Sequence, residues 1–197
     1  MTRLLLSAFD AFGPHTANLS SIVARRIWEE GVDGLDLAAV ELPTVRYSAS
    51  TMLIDAFDQT RPDIVVMLGI ADSRGQITPE RVAINVDDYR IPDNAGNQPV
   101  DEPVVPGGPV AYLATLPVKR IVERLREEAI PAEVSNSAGT FLCNHVSYAM
   151  LHHIERSGAP CQAGFIHLPA DMPLALAVRG VRLAIEVTVE RGPDLDD

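Results

Sequence analysis

Residues 63–69 read DIVVMLG, an unbroken apolar run that ends in a glycine. Runs of this kind are typical of strands that are buried on both faces of a parallel sheet, where neither face needs polar side chains. We therefore predict a strand over residues 63–68, with Gly69 at its end. Further apolar segments predict strands over residues 3–9, 35–42, 131–135 and 164–168.

Helical periodicity fills most of the intervals between these strands. The clearest case is one apolar face made of Ala49, Met52, Leu53, Ala56 and Phe57, after which Pro62 ends the helix. A serine cap at Ser20 and a stop at Gly31 predict an earlier helix. Similar patterns predict helices over residues 118–129, 144–155 and 174–189.

Strands that alternate with helices predict an α/β protein. We expect a three-layer α/β/α sandwich around a mostly parallel, twisted sheet. The chain shows no internal repeat and no linker, so a single domain is expected over residues 1–197. Residues 71–109 have little periodicity and are rich in Pro, Asp, Asn and Gly, and irregular stretches of this length often carry function. The last residues, 194–197, are expected to be solvated.

The composition excludes several classes of partner. Of 197 residues, 47% are hydrophobic and 22% are charged, and the net charge is −11 with no basic stripe. An electrostatic footprint for nucleic acid or an anionic membrane is therefore missing. The apolar run at the N-terminus is too short for a signal peptide, and no 18 apolar residues run together, so a cytoplasmic location is expected.

The two cysteines differ in their surroundings. Cys143 lies where residues 135–145, SNSAGTFLCNH, pass from a predicted strand into a predicted helix. A helix N-terminus favours the thiolate and offers free backbone N–H groups, so Cys143 is a candidate nucleophile, unless the junction simply needs a small residue. Cys161 begins an apolar strand and is expected to be a buried apolar residue. Their spacing suggests neither a zinc site nor a disulfide.

A cysteine nucleophile needs a base, and the base needs an orienting group. Among the histidines, His167 has the best position, because it lies at the end of a predicted strand, where open α/β sheets build sites. A plain core or edge histidine is the alternative. His145 follows Cys143 by two residues and should point elsewhere, and the remaining histidines are His15, His152 and His153. For the acid, the pattern leaves Glu80 open against Asp72, Asp87, Asp88 and Asp93.

Several motifs, taken in order, resemble the pyroglutamyl peptidase I family of cysteine peptidases. They are FDAFG at residues 9–13, ITPERVAIN at 77–85, RIPDN at 90–94, SAGTFLCNH at 137–145 and GFIHLP at 164–169. Together they span about residues 4 to 170 and are specific. Tyr89, directly before RIPDN, stands where the family usually has alanine.

The resemblance implies an activity and a site. It implies removal of an N-terminal pyroglutamyl group from peptides by a triad of Cys143 as nucleophile, His167 as base and Glu80 as orienting carboxylate, with a thioester intermediate. It places the backbone N–H of Cys143 and the side chain of Arg90 at the oxyanion. It implies no metal and no cofactor, and a homodimer or tetramer. The pocket residues that it suggests are Phe9, Phe12, Ile70, Ile91, Phe141 and Leu142.

The chain also departs from the family pattern. Residues 69–74 read GIADSR where the family commonly has GQAGGR, so Ile70 replaces a polar pocket residue, and Asp72 and Ser73 replace two glycines. A related cysteine amidohydrolase with another acyl specificity and a catalytically silent binding module are therefore the alternatives. A nucleotide-binding Rossmann protein is disfavoured because the loop after the first strand lacks G-x-G-x-x-G.

Overall fold

The computed structural model describes residues 1–13 and 17–190. His15 and the tail over residues 194–197, for which the sequence suggested a loop and a solvated end, lie outside the described residues. The helices are α1 (Leu19–Glu30), α2 (Ser48–Thr60), α3 (Val118–Glu127), α4 (Leu142–Ser157) and α5 (Leu174–Glu190). The strands are β1 (Thr2–Phe9), β2 (Leu35–Leu42), β3 (Ile64–Ile70), β4 (Thr78–Pro79), β5 (Val82–Ile84), β6 (Ala111–Leu113) and β7 (Gln162–Leu168).

Five strands form the central sheet in the order β2-β1-β3-β7-β4. The first four are parallel, and the short β4 pairs antiparallel with β7 at one edge. One apolar cluster joins the sheet to α1, α3 and α5, and a second joins it to α2 and α4. The predicted α/β fold, with helices on both faces of a mostly parallel sheet, is thus confirmed.

The burial of the strands explains their sequences. β3 and β7 are buried along nearly their whole length, because both faces of the sheet are covered there, and apolar residues continue without alternation. β2 lies at the other edge and is only partly buried. Successive residues of a strand point to opposite faces, so Ala163, Phe165 and His167 of β7 all face the layer that contains α4.

Several predicted elements differ from the structure; β7 begins at Gln162, two residues before its predicted start, and α3 ends at Glu127. α1 is capped by the side chain of Asn18, which accepts a hydrogen bond from the backbone N–H of Ser20, so the serine is the capped residue and not the cap. β3 continues through Gly69 to Ile70. Residues 131–135 form only isolated bridges, through Ala132 and Ser135, to the segment around β4. α4 begins at Leu142, two residues before the predicted start.

The irregular middle stretch is held by buried acids. The Asp87 carboxylate accepts hydrogen bonds from Arg46 and His145, both at 2.8 Å. Asp93 accepts one from the backbone N–H of Arg46 at 2.7 Å. These contacts fix the loop after β5 against the start of α2 and against α4. They hold a segment with little regular structure in a fixed position.

In the part of the chain that the structure describes, no helix is long and apolar enough to cross a membrane.

Candidate active site

A cavity of about 570 Å³ opens at the carboxyl ends of the central strands. Phe9 is the last residue of β1, Ile70 is the last residue of β3, and both line it. This is the edge at which open α/β sheets build their sites. All residues that the family resemblance suggested for substrate and oxyanion line this one cavity: Phe9, Phe12, Ile70, Ile91, Phe141, Leu142, Arg90 and Cys143.

Cys143 lies in the first turn of α4, directly beside the sheet. Phe141 precedes the helix in an extended conformation, and the first backbone N–H groups of a helix have no partner within it. The nearest part of the sheet is Gly69 of β3: a Cβ built on this glycine would lie 3.1 Å from the sulfur of Cys143. The absence of a side chain at residue 69 therefore leaves the space that the sulfur occupies.

His167 and Glu80 form a buried pair. Nδ1 of His167 lies 2.7 Å from Oε1 of Glu80, and the two side chains are only 4% and 1% exposed. Glu80 directly follows β4, and its backbone N–H donates to the carbonyl of Phe165 on β7, which fixes the carboxylate beside the strand that carries His167. Because the carboxylate is the acceptor, Nδ1 carries a proton and Nε2 is the nitrogen left to exchange one.

The strand register brings Cys143 and His167 to the same face of the sheet. Gly69 is the partner of His167 in the pairing of β3 with β7, and partners in a parallel sheet point to the same face. The sulfur of Cys143 lies against that face at Gly69. The ring of Phe165 packs beside both, with its centroid 4.7 Å from that of His167.

Burial is the largest influence on the pKa values of Cys143, His167 and Glu80. Burial, with a smaller contribution from the Glu80 carboxylate, raises the pKa of the Cys143 thiol to about 12. Burial also lowers the pKa of His167, and the hydrogen bond to Glu80 opposes this effect without cancelling it. For Glu80, burial raises the pKa, but favourable contacts, the largest of them with His167, outweigh burial and hold the pKa below its ordinary value.

The predicted position of Cys143 at the start of a helix is confirmed. That position does not by itself make the sulfur a thiolate, because desolvation, together with the nearby negative carboxylate, raises the pKa of the thiol. These shifts favour the neutral thiol, the neutral imidazole and the ionised carboxylate. The thiol needs a base before it can act as a nucleophile.

The other candidates from the sequence lie elsewhere. His145 points away from Cys143, as predicted, and contacts Asp87 at 2.8 Å and Ser50 at 3.0 Å. The prediction that Cys161 is buried is confirmed. Of the five candidate acids, Glu80 is hydrogen-bonded to His167. Asp72 and Asp88 are exposed at the cavity. Asp87 and Asp93 accept hydrogen bonds from Arg46.

Two residues that contact the predicted site residues Glu80 and Phe141 were not among the sequence-based candidates. Arg74 donates hydrogen bonds to Glu80 and, at 2.8 Å, to the carbonyl of Ser137. Tyr89 is 2% exposed, and its ring packs edge-on against Phe141 with centroids 4.6 Å apart. The sequence did offer a signal for each: Arg74 matches the arginine that ends the family pattern GQAGGR, and Tyr89 is an aromatic residue in place of a family alanine.

Comparison with known proteins then decides the family. The family model described as pyroglutamyl peptidase matches residues 2–191. The chain belongs to the pyroglutamyl peptidase family. Among curated relatives, the pyrrolidone-carboxylate peptidase of Bacillus licheniformis is 43% identical over 204 residues, which cover 98% of this chain and 95% of that protein. The enzyme of the same name from Vibrio parahaemolyticus is 40% identical over 206 residues, covering 99% and 96%.

Solved structures of this family agree with the fold. Pyroglutamyl peptidase I of Bacillus amyloliquefaciens superposes with a TM-score of 0.93 at 39% identity, covering 97% of this chain and 98% of that one. Pyrrolidone carboxyl peptidase of Thermococcus litoralis gives a TM-score of 0.93 at 35% identity, covering 96% and 94%. The resemblance seen in the sequence motifs is confirmed, and the protein is a hydrolase of the cysteine peptidase class.

Proposed function

We propose that this pyroglutamyl peptidase hydrolyses the amide bond after an N-terminal pyroglutamyl residue of peptides, with Cys143 as nucleophile, His167 as base and Glu80 as orienting carboxylate. The observation that carries the proposal is the 2.7 Å contact between Glu80 and Nδ1 of His167, on the sheet face against which Cys143 lies. This arrangement leaves Nε2 of the imidazole available to the thiol.

In the first step, Nε2 of His167 accepts the thiol proton while the sulfur attacks the carbonyl carbon of the pyroglutamyl group. The thiol depends on this base, because burial raises its pKa. The negative oxygen of the tetrahedral intermediate is stabilised by the backbone N–H of Cys143 and by Arg90, which lines the cavity.

In the second step, the C–N bond breaks and the imidazolium gives its proton to the leaving amine. The pyroglutamyl group remains on Cys143 as a thioester. A water molecule then attacks the thioester, His167 takes a proton from that water, and the tetrahedral intermediate expels the sulfur, which is reprotonated. Pyroglutamate leaves as the second product, and these steps use only side chains, backbone N–H groups and water.

The cavity supports the choice of acyl group. Pyroglutamate is a neutral lactam with no free amine, and its site should combine apolar walls with a few hydrogen-bonding groups. Aromatic and aliphatic side chains supply the walls here: Phe9, Phe12, Ile91, Phe141 and Leu142. Polar groups at the same cavity include Asn18 and Thr44.

The test is release of a fluorescent amine from a pyroglutamyl amide under reducing conditions. The wild-type protein is expected to release it, Cys143→Ala to lose the activity, and Cys161→Ala to retain it. Cys161 is the matched control, because it is also a reduced cysteine but is buried away from the cavity. Activity that survives Cys143→Ala would contradict the proposal.

A second candidate is a cysteine amidohydrolase that prefers another small acyl group. The observation that favours it is Ile70, which presents an aliphatic side chain to the cavity where a lactam needs polar partners. Amides of proline, succinamic acid and short fatty acids, tested beside the pyroglutamyl amide, separate the two. A higher kcat/KM for any of them would select the second candidate, and no turnover of any amide by the folded protein would favour a silent binding module.

We further propose a cytoplasmic homo-oligomer, a dimer or a tetramer, as the family resemblance implies. Light scattering behind a sizing column measures this directly. The expected mass is two or four times that of the 21.3 kDa chain. A single species at the mass of one chain would contradict the prediction.

A further inference from the structure

Arg74 connects the two parts of the chain that carry the proposed triad. It lies in the loop between β3 and β4, and its side chain is mostly buried. One terminal nitrogen donates to Oε1 of Glu80 and to the hydroxyl of Thr78, and the other donates to the carbonyl of Ser137 at 2.8 Å. Ser137 belongs to the loop that leads into α4 and Cys143.

Arg74 contacts the same oxygen of Glu80 that binds His167. Oε1 of Glu80 is also the atom that accepts from Nδ1 of His167, at 2.7 Å. Its other oxygen, Oε2, is buried and has no hydrogen-bond partner among the described residues. The direction of the carboxylate is therefore determined by two donors on a single oxygen, one from His167 and one from Arg74.

The charge of Arg74 also reaches every member of the proposed triad. Burial has the largest effect on each pKa: it raises the pKa of Glu80 and of Cys143 and lowers that of His167. The positive guanidinium lowers all three, so it opposes burial at Glu80 and Cys143 and adds to it at His167. A positive charge here favours the ionised carboxylate and the neutral imidazole, which are the protonation states that the base needs before the reaction.

We propose that Arg74 is a positioning residue for the hydrolysis: it fixes the Glu80 carboxylate on His167 and links that pair to the loop that precedes Cys143. The inference rests on the proposed function. It does not make Arg74 a catalytic residue, since the cavity is lined by other side chains and Arg74 acts through Glu80.

The shape of the side chain matters as well as its charge. A guanidinium presents two terminal nitrogens in one plane, and here each nitrogen has its own acceptors in different segments of the chain. A lysine ammonium is a single point on a flexible stem. Arg74→Lys is therefore expected to keep the charge near Glu80 but to lose the link to Ser137, and to restore only part of the activity.

The experiment compares Arg74→Gln, Arg74→Lys and the control Arg81→Gln in the amide assay. Arg81 adjoins Glu80 and carries the same charge. Among the residues that the structure describes, its side chain makes no hydrogen bond or ion pair with the triad. For Arg74→Gln we expect kcat to fall by about 10- to 100-fold, the effect of a small misplacement of catalytic groups, with KM changed by less than about 2-fold. Arg81→Gln should keep the wild-type kcat.

The pH profile distinguishes positioning from a merely structural role. Without the guanidinium, an influence that lowers the pKa of His167 is gone, so the acid limb of kcat/KM should move to higher pH in Arg74→Gln. Loss of folded protein would lower kcat/KM by the same factor at every pH and leave the apparent pKa of the acid limb unchanged. Thermal unfolding of each variant, measured by circular dichroism, gives the folded fraction for correction.

A double mutant tests whether Arg74 acts through Glu80. If it does, Arg74→Gln should cost much less activity in a Glu80→Gln background than in the wild-type protein, because the carboxylate that it positions is already gone and only its link to Ser137 is left to lose. Multiplicative losses would overturn the inference, as would wild-type kcat and an unmoved acid limb in Arg74→Gln. The proposed function fails separately, through an inactive wild-type protein or an active Cys143→Ala variant.

Discussion

His167 determines the protonation balance of the site through its two ring nitrogens. One nitrogen is bound to Glu80, and the other must be unprotonated for the imidazole to act as a base. Burial lowers the pKa of His167 more than Glu80 raises it. The neutral, active form of the imidazole therefore persists to lower pH than in a free histidine.

The first prediction concerns this acid limb. For the wild-type protein, kcat/KM should fall with decreasing pH at an apparent pKa below 6.5, the ordinary histidine value. Glu80→Gln removes the carboxylate that raises the pKa of His167, so the limb should move to still lower pH while kcat falls roughly 100-fold or more. An acid limb above the ordinary histidine value in the wild-type protein would contradict this account of burial.

Ile70 provides a second prediction for a single residue. Its aliphatic side chain lines the cavity and cannot bind the polar edge of a lactam. Ile70→Gln should lower KM for the pyroglutamyl amide about fivefold, the equivalent of one hydrogen bond of about 1 kcal/mol. Ile70→Leu is the control and should change KM by less than about twofold. Equal KM values for all three proteins would show that residue 70 does not contact the acyl group.

At the scale of elements, Gly69 lets β3 pack closely against two side chains, Phe165 of β7 and Cys143 of α4. A Cβ on Gly69 would lie 2.6 Å from a ring carbon of Phe165 as well as 3.1 Å from the sulfur of Cys143. A methyl group does not fit there unless the strand or the helix moves. The glycine is thus a packing requirement of the site, and its backbone conformation is ordinary.

The third prediction follows from this close approach. Gly69→Ala should lower the free energy of unfolding by about 1–3 kcal/mol, as overpacking does, and should also reduce kcat because the sulfur is displaced. Urea unfolding and the amide assay measure the two effects. Gly75→Ala is the matched control: a Cβ there meets no heavy atom within 4 Å, and stability should change by less than about 0.5 kcal/mol. Equal stability of the two variants would refute the packing argument.

Local patterns predicted the long elements well. β1, β2, β3 and β7 are apolar runs of seven or eight residues, and such runs carry their own signal. β4 has only two residues, and its existence depends on pairing with β7, which no pattern in the sequence records. The cap of α1 was misassigned because asparagine and serine occur together there and are equally good caps.

The site was predictable only in part, because its contacts join segments that are far apart in the sequence. Cys143 and His167 could be proposed from their positions at the ends of elements, but Glu80 was raised above four aspartates by the family resemblance alone. Glu80 and His167 are 87 residues apart, and Arg74 and Ser137 are 63 apart. Contacts of that range depend on how the sheet is assembled. The raised pKa of the thiol is likewise a consequence of burial and not of helix position.

At the scale of the whole molecule, the two faces of the sheet depend on each other. One apolar cluster packs α1, α3 and α5 on one face, and the other packs α2 and α4 on the opposite face, with β1, β3 and β7 contributing to both. Neither layer buries its apolar surface without the shared strands. We therefore expect the chain to behave as one folding unit, in accord with the proposed single domain.

The fourth prediction tests this unity with one probe on each face. Trp28, the single tryptophan, reports on α1 by its fluorescence, and Cys161 belongs to the cluster on the opposite face and reports by its protection from a thiol reagent. Both probes should give the same urea midpoint, because a single domain unfolds in one cooperative transition. Two separated midpoints would show that the layers unfold independently.

The central claim is that Cys143 carries the pyroglutamyl group during the reaction. An activated nitrophenyl ester of pyroglutamate should acylate the enzyme faster than water removes the acyl group, so the intermediate accumulates. The measurement is an acid quench during turnover, followed by mass spectrometry of the peptides. We predict the mass of one pyroglutamyl group on the peptide that contains Cys143, and none in Cys143→Ala. A burst of nitrophenol with Cys143 unmodified, or the acyl group on another residue, would contradict the account.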